Sequence, residues 1–101
     1  MRMIHDFVMT ENYIIIPDLP MEFNPIAAIK ENKHVYHWNP DGGARYGVLH
    51  RSKDDASSII WFNCSAHFCF HFGNTWDEIN DRGETIVILF AVIYENLSMD
   101  F

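Results

Sequence analysis

Histidine is the residue type in this sequence that is best suited to chemistry, because imidazole is the commonest metal ligand in proteins. Six histidines occur in 101 residues, an unusually high number for a chain of this length. They are His5, His34, His37, His50, His67 and His71. Each of them has to be weighed as a metal ligand against the alternative of an ordinary packed or solvated side chain.

The segment His67–His71 has the most suggestive spacing. Alternate residues of a β-strand share one face, so His67, Cys69 and His71 are expected to line up together. Neighbours on that face lie roughly 6.6 Å apart, which is wide for three ligands of one ion. An end residue would therefore join ligands from other strands. The alternative, a half-buried strand that carries histidines on its polar face by chance, stays open.

His5 alternates with Met3, Phe7 and Met9 and is therefore predicted to lie in an apolar row of a strand. A histidine in such a row is either a hydrogen-bonded core residue or a metal ligand that is shielded from water. The residues around His5 do not choose between these two interpretations.

The remaining histidines, His34, His37 and His50, are expected at the surface, on opposite strand faces or at a strand end. The sequence contains no nucleophile elbow, no phosphate loop and no paired C-x-x-C motif. Its carboxylates show no spacing that predicts acid–base catalysis. The histidines are therefore the candidate chemical groups to which the sequence draws attention.

Short β-strands are predicted almost throughout, because β-branched and aromatic residues recur between turn signals at intervals of about ten residues. Asn24 and Pro25 begin one helical turn that ends at Lys30, with Asn24 as the N-cap. Even strand spacing predicts an all-β architecture, which could be a sandwich, a barrel or propeller blades. The predicted strands are Met3–Met9, Tyr13–Pro17, His34–Trp38, Ala44–His50, Ile59–Cys64, His67–Phe72 and Thr85–Tyr94.

Composition excludes several classes of protein. Seven Lys and Arg residues against fourteen Asp and Glu residues give a net charge of −7, which argues against binding to nucleic acid. The longest apolar run, Ile86–Tyr94, is far shorter than the roughly 20 residues of a membrane-spanning helix and is predicted to be a buried strand. Two cysteines do not make a disulfide framework.

Several motifs in this order and spacing resemble the carotenoid cleavage oxygenases, in the form typical of plant carotenoid cleavage dioxygenases. The resemblance covers nearly the whole chain. Ile4–Tyr13, which runs into Pro17–Pro20, is similar to the family signature MHDFAITENY…DLP, and Phe68–Glu78 is similar to CFCFHLWNAWEE. Shorter matches are Ala44–Arg51 with ARFGVLPR, Trp61–Asn63 with WFE, and Gly83–Val87 with GDEVV.

The resemblance implies antiparallel strands that form about two blades of a seven-bladed β-propeller, with residues 1–101 as an internal part of one carotenoid oxygenase domain. In that family, four histidines from different blades hold one Fe(II). His5 and His71 correspond to two of them, and the other two, with the glutamates that hold the ligands, are expected outside this chain. His67 is not a ligand position in the family. Phe7, Phe70 and Phe72 are candidates to line an apolar substrate tunnel, with core packing as the alternative for at least two of them, and Phe70 is the one expected to contact substrate.

The implied activity is cleavage of one C=C bond of a carotenoid or apocarotenoid by O2, with Fe(2+) as cofactor and two carbonyl products. The fragment alone is expected to be inactive. Two alternatives stay open: a stilbene- or phenylpropene-cleaving dioxygenase of the same family, and a non-catalytic all-β module with an incidental zinc site at His67, Cys69 and His71. The resemblance indicates no partner protein, allows contact of the full-length enzyme with a membrane surface, and implies a plastid location, with the cytoplasm as the alternative.

Overall fold

The computed structural model describes residues 1–98 of the chain. Strands dominate this part, as the sequence predicts, and one short helix interrupts them. In chain order the elements are β1 (Val8–Met9), β2 (Tyr13–Asp18), β3 (Met21–Phe23), α1 (Pro25–Glu31), β4 (Tyr36–Trp38), β5 (Ala44–His50), a 3-10 turn (Ala56–Ser58), β6 (Ile60–Cys64), β7 (Phe68–Ile79) and β8 (Thr85–Tyr94).

All strand pairs are antiparallel and form three separate sheets among these residues. The largest is a four-stranded sheet with the order β1-β2-β5-β6, called the main sheet below. Strands β7 and β8 form a long two-stranded ribbon, and β3 pairs with β4 in a shorter one. A four-stranded antiparallel sheet is the unit from which propeller blades are built.

The long ribbon turns at the predicted turn signal Asn80–Gly83. The Asn80 side chain accepts hydrogen bonds from the backbone N–H groups of Arg82 and Glu84, at 3.0 and 2.9 Å. Gly83 has a φ of +78°, a left-handed conformation that glycine adopts without a steric penalty. The local sequence therefore determines where the ribbon reverses.

The core is small and lies where the main sheet, β3 of the short ribbon and the start of the long ribbon meet. Five buried residues form one apolar cluster: Leu19, Met21, Ala44, Phe68 and Cys69. Ala44 is the first residue of β5 in the main sheet, and Leu19 directly follows β2 of the same sheet. Phe68 and Cys69 begin β7. The cluster therefore anchors the first residues of β7 against the main sheet.

Helix α1 begins as predicted. The Asn24 side chain accepts a hydrogen bond from the backbone N–H of Ala27 at 3.0 Å, and Pro25 takes the first helical position. The helix ends at Glu31, followed by Asn32 in the left-handed conformation with a φ of 52°. No helix within residues 1–98 has the length and apolar character needed to cross a membrane.

The predicted strand Met3–Met9 is wrong over most of its length. Met3 donates its backbone N–H to Met21 in the short ribbon, and the chain joins the main sheet only at Val8–Met9. The residues between cross from one sheet to the other and have no strand partner. In this crossing segment, the Asp6 carboxylate accepts the N–H of Phe7 at 2.9 Å, a local bond that competes with strand pairing.

Two further predictions about strands need correction. The strand predicted to end at Phe72 continues to Ile79, and β3 has no counterpart among the predicted strands. The apolar run in β8 is not buried: Phe90 is 57% exposed and Val92 is 63% exposed. Strand β8 pairs with β7 alone among the strands of residues 1–98, so part of its apolar surface remains open.

Candidate metal centre

His5 and His71 lie side by side, although they are far apart in the chain. Their ring centroids are 5.2 Å apart and the ring planes are nearly perpendicular, at 85°. Two imidazoles that bind one metal ion through nitrogens at about 2.1 Å have ring centroids roughly 5 Å apart. Within residues 1–98, neither imidazole takes part in a hydrogen bond, and both side chains are exposed. The pair therefore fits two ligands of one ion.

The direction of His71 depends on an irregularity in β7. Cys69 pairs with Ile93 and Phe72 pairs with Ala91, so β7 has one residue more than β8 over this stretch. The extra residue makes a β-bulge, and bulges commonly change the direction of side chains next to functional sites. His71 lies inside this bulge, which turns it towards the crossing segment that carries His5.

The bulge also overturns the predicted row of His67, Cys69 and His71 on one strand face. Cys69 is buried in the core cluster, and its thiol donates a hydrogen bond to the backbone carbonyl of His71 at 2.9 Å. Burial raises the pKa of the Cys69 thiol, which keeps it protonated. His71 is exposed. Strict alternation fails here because the extra residue shifts the strand by one position.

His67 is occupied by other contacts. Its Nδ1 donates to the backbone carbonyl of Ser65 at 2.9 Å, so its Nε2 accepts from the hydroxyl of Tyr46 at 2.7 Å. Burial, and to a smaller extent the nearby Cys69 thiol, raise the pKa of the Tyr46 hydroxyl and keep it as a donor. Both nitrogens of His67 are therefore engaged, and the ring is buried.

The zinc alternative has no support in this arrangement. Among residues 1–98, no group of three or more His, Cys, Asp or Glu side chains is placed to hold a metal ion. His5 and His71 alone would need ligands from elsewhere in the protein. Such a pair agrees with the ligand set that the family resemblance implies, although the assignment of His5 and His71 as ligands stays a prediction.

Phe70 lies directly beside the histidine pair. Its ring meets the ring of His5 edge to face at 5.6 Å and that of Phe68 at 4.7 Å. Phe70 is half-buried: it packs against the core cluster on one side and lies next to the exposed His5 on the other. This position would suit a residue that contacts an apolar molecule next to a metal ion bound by the pair, and its role in substrate binding stays a prediction.

A polar link that the sequence does not predict joins the β1–β2 turn to β7. The Asp77 carboxylate accepts two hydrogen bonds from Asn12, one from the backbone N–H at 3.2 Å and one from the side-chain amide at 2.7 Å. A hydrogen bond from the Thr10 side chain, and then the bonds from Asn12, lower the pKa of the Asp77 carboxyl. No sequence signal reveals the link, because its two residues are far apart in the chain.

An apolar cavity of about 470 Å³ lies between the main sheet and the long ribbon. Its walls include Ile15 and Val48 from the main sheet and Leu89 from β8. Apolar side chains therefore do not fill this interface over its whole length.

Comparison with known proteins agrees with the resemblance in the sequence. A family model described as retinal pigment epithelial membrane protein matches residues 1–101. The "Carotenoid 9,10(9',10')-cleavage dioxygenase 1" of Arabidopsis thaliana is 42% identical over 98 residues, which are 97% of this chain and 17% of that protein. The isoeugenol monooxygenase of Pseudomonas putida is 37% identical over 76 residues, which are 75% of this chain and 16% of that protein.

Among solved structures, the lignostilbene dioxygenase of Pseudomonas brassicacearum superposes with a TM-score of 0.65 at 21% identity, and the match covers 93% of this chain and 25% of that one. This likeness confirms the predicted fold class of antiparallel all-β structure. The chain belongs to the retinal pigment epithelial membrane protein family, whose members include the carotenoid cleavage dioxygenases that the sequence resembles. It spans about a sixth of the length of its curated relatives, 17% for the Arabidopsis protein.

Proposed function

We propose that this chain belongs to a non-haem iron dioxygenase that cleaves one C=C bond of a carotenoid or apocarotenoid with O2. The observation that carries the proposal is the close, unbonded pair of His5 and His71, on the two motifs that resemble the family's ligand motifs. The names of relatives at 42% and 39% identity, both carotenoid cleavage dioxygenases, support the substrate class.

In this proposal His5 and His71 supply two of the iron ligands, and further histidines come from parts of the protein outside these residues. Neutral imidazoles leave the iron its double positive charge, which suits a centre that must also accept O2. The iron, when bound, supplies the electrons that activate O2. The reaction balances without a further reductant, because each carbon of the cleaved bond receives one oxygen atom of O2.

The chain's own residues would hold the metal and shape its surroundings. Phe70 presents an apolar ring beside His5, where it would contact the polyene and exclude water. Two further proposals follow from family membership. The main sheet and long ribbon form part of a β-propeller, and the full-length protein resides in the plastid.

The experiment that tests the iron site uses the full-length gene product, reconstituted with Fe(II) without oxygen. His5→Ala and His71→Ala should each lower iron affinity by at least about tenfold and abolish cleavage. His37→Ala is the matched control, because His37 is also exposed but lies on β4 beside Glu22. Iron content by mass spectrometry and product formation by chromatography are the measurements. Full iron content in both His5→Ala and His71→Ala would contradict the proposal.

Cleavage of a stilbene or phenylpropene is the second candidate function. It is favoured by the 37% identity with an isoeugenol monooxygenase and by the structural likeness to a lignostilbene dioxygenase. The discriminating measurement is kcat/KM of the full-length gene product on an apocarotenoid, a hydroxystilbene and isoeugenol. We expect the apocarotenoid to be preferred by about tenfold or more. The reverse order would favour the second candidate.

A further inference from the structure

The two histidines of the candidate metal centre are attached to different sheets. His5 lies in the crossing segment that leads into β1, and β1 pairs with β2 in the main sheet. His71 lies on β7, in the long ribbon. The distance between the two imidazoles therefore depends on how the ribbon is held against the main sheet.

Within residues 1–98, the buried apolar contacts between the ribbon and the rest of the chain are concentrated near the start of β7. The core cluster fixes Phe68 and Cys69 at the start of β7. Farther along, the cavity of about 470 Å³ separates the main sheet from β8. An interface with a cavity lacks the interlocking contacts that define one position, so other interactions must hold the distant part of the ribbon.

The link between Asn12 and Asp77 lies where it can hold the distant part of the ribbon against the main sheet. The carboxylate of Asp77 receives both the backbone N–H and the side-chain amide of Asn12, a two-point contact that determines orientation as well as distance. The turn that carries Asn12 is itself held firmly. Arg51 donates to the carbonyls of Thr10 and Glu11 at 3.3 and 3.0 Å, and its backbone N–H donates to the carbonyl of Asn12 at 2.8 Å.

The link and the histidine pair join the same two stretches of chain. Asn12 follows His5 by seven residues and Asp77 follows His71 by six, so the two stretches run in the same direction, with the histidine pair at one end and the link at the other. A slip of the ribbon along the main sheet would therefore break the link and separate the imidazoles together. We infer that Asn12 and Asp77 are positioning residues that keep His5 and His71 at the spacing one iron ion needs, an inference that rests on the proposed function.

The chain offers a sharp test, because the two side chains of the link can be exchanged. Asp77→Leu removes both acceptor oxygens, and Asn12→Asp places two carboxylates against each other. The double variant Asn12→Asp/Asp77→Asn restores both bonds, because the new amide at position 77 accepts the backbone N–H through its oxygen and donates to the new carboxylate at position 12. Asp55→Leu is the matched control, since Asp55 is an exposed carboxylate that bonds to nearby serines, Ser57 and Ser58.

The readouts are the rate of iron release to a chelator, the electron paramagnetic resonance spectrum of the Fe(II) protein exposed to nitric oxide, and the Tm of the metal-free protein. All are measured on the full-length gene product. We expect Asp77→Leu and Asn12→Asp to release iron about tenfold faster and to change the spectrum, the size of effect seen when groups that orient metal ligands are removed. The double variant should return to within about twofold of the unaltered protein, and Asp55→Leu should not differ.

Unchanged release and spectrum in Asp77→Leu would overturn the inference, as would a double variant no better than the single ones. A merely structural role predicts a lower Tm in the metal-free protein with an unchanged spectrum, and that result would overturn it too. His5→Ala and His71→Ala in the same assays separate the two hypotheses. If both retain iron, the proposed function fails and the inference with it; if both lose iron while Asp77→Leu does not, only the inference fails.

Discussion

Replacing Tyr46 by phenylalanine should destabilise the protein through one buried hydrogen bond. The Tyr46 hydroxyl donates to Nε2 of His67 at 2.7 Å, and His67 is only 8% exposed. The other ring nitrogen already donates to the Ser65 carbonyl. The phenylalanine ring would keep the packing but leave a buried acceptor without a donor or access to water.

The expected loss follows from that geometry. A buried polar group that loses its partner costs about 1–3 kcal/mol. The variant also removes a hydroxyl that had to be desolvated, which offsets part of this cost and leaves about 1–2 kcal/mol. Such a loss corresponds to a factor of about 5–30 in the unfolding equilibrium.

The assay is chemical denaturation of the full-length gene product, with Tyr13→Phe as the matched control. Tyr13 meets the ring of His50 edge to face at 5.2 Å, and within residues 1–98 no hydrogen bond joins the two side chains. We expect Tyr13→Phe to change the unfolding free energy by less than about 0.5 kcal/mol. His67→Leu and the double variant with Tyr46→Phe complete a cycle in which the coupling should reach about 1 kcal/mol.

Additive effects of Tyr46→Phe and His67→Leu, to within about 0.3–0.5 kcal/mol, would refute the reasoning. So would equal losses in Tyr46→Phe and Tyr13→Phe. Either result would mean that Tyr46 contributes through ring packing, and that His67 does not depend on its hydroxyl.

Two other predictions concern stability. Burial raises the pKa of the Tyr46 hydroxyl, so the stability that the protonated hydroxyl contributes is complete below the ordinary pKa of about 10 and is lost as the pH rises from there towards the folded-state pKa. In alkaline denaturation, the unaltered protein should therefore lose stability above a pH of about 10 more steeply than Tyr46→Phe. Equal slopes in the two proteins would contradict this prediction. A Cβ at Gly47 would lie 2.8 Å from the Ile59 side chain and 2.9 Å from the Trp61 ring. Gly47→Ala should therefore lower the free energy of unfolding by about 1–3 kcal/mol, as measured by thermal denaturation. Gly73→Ala is the control, since its nearest contact would be an ordinary 3.4 Å; similar losses in both would show that close contact is not the cause.

Local features of the fold can be read from the sequence. The Asn24–Pro25 start of α1, the turn at Gly83 and most strands appear where their residues predict them, because capping, left-handed turns and strand propensity act over a few neighbours. Residues whose partners are distant are predicted less well. The crossing segment around His5 has the alternation of a strand, but backbone pairing depends on which sheet is within reach.

The sequence by itself determined the family of this protein and which two histidines deserve attention, since the motifs around His5 and His71 are continuous stretches of chain. Only the tertiary structure decided that the two imidazoles lie 5.2 Å apart, that Cys69 turns into the core and that His67 is engaged by Tyr46. The physical reason is that these positions depend on long-range structure. A bulge in β7 between Cys69 and Phe72 sets the direction of His71, and contacts between separate sheets set the positions of Cys69 and His67. Neither is encoded in the spacing of residues along one strand.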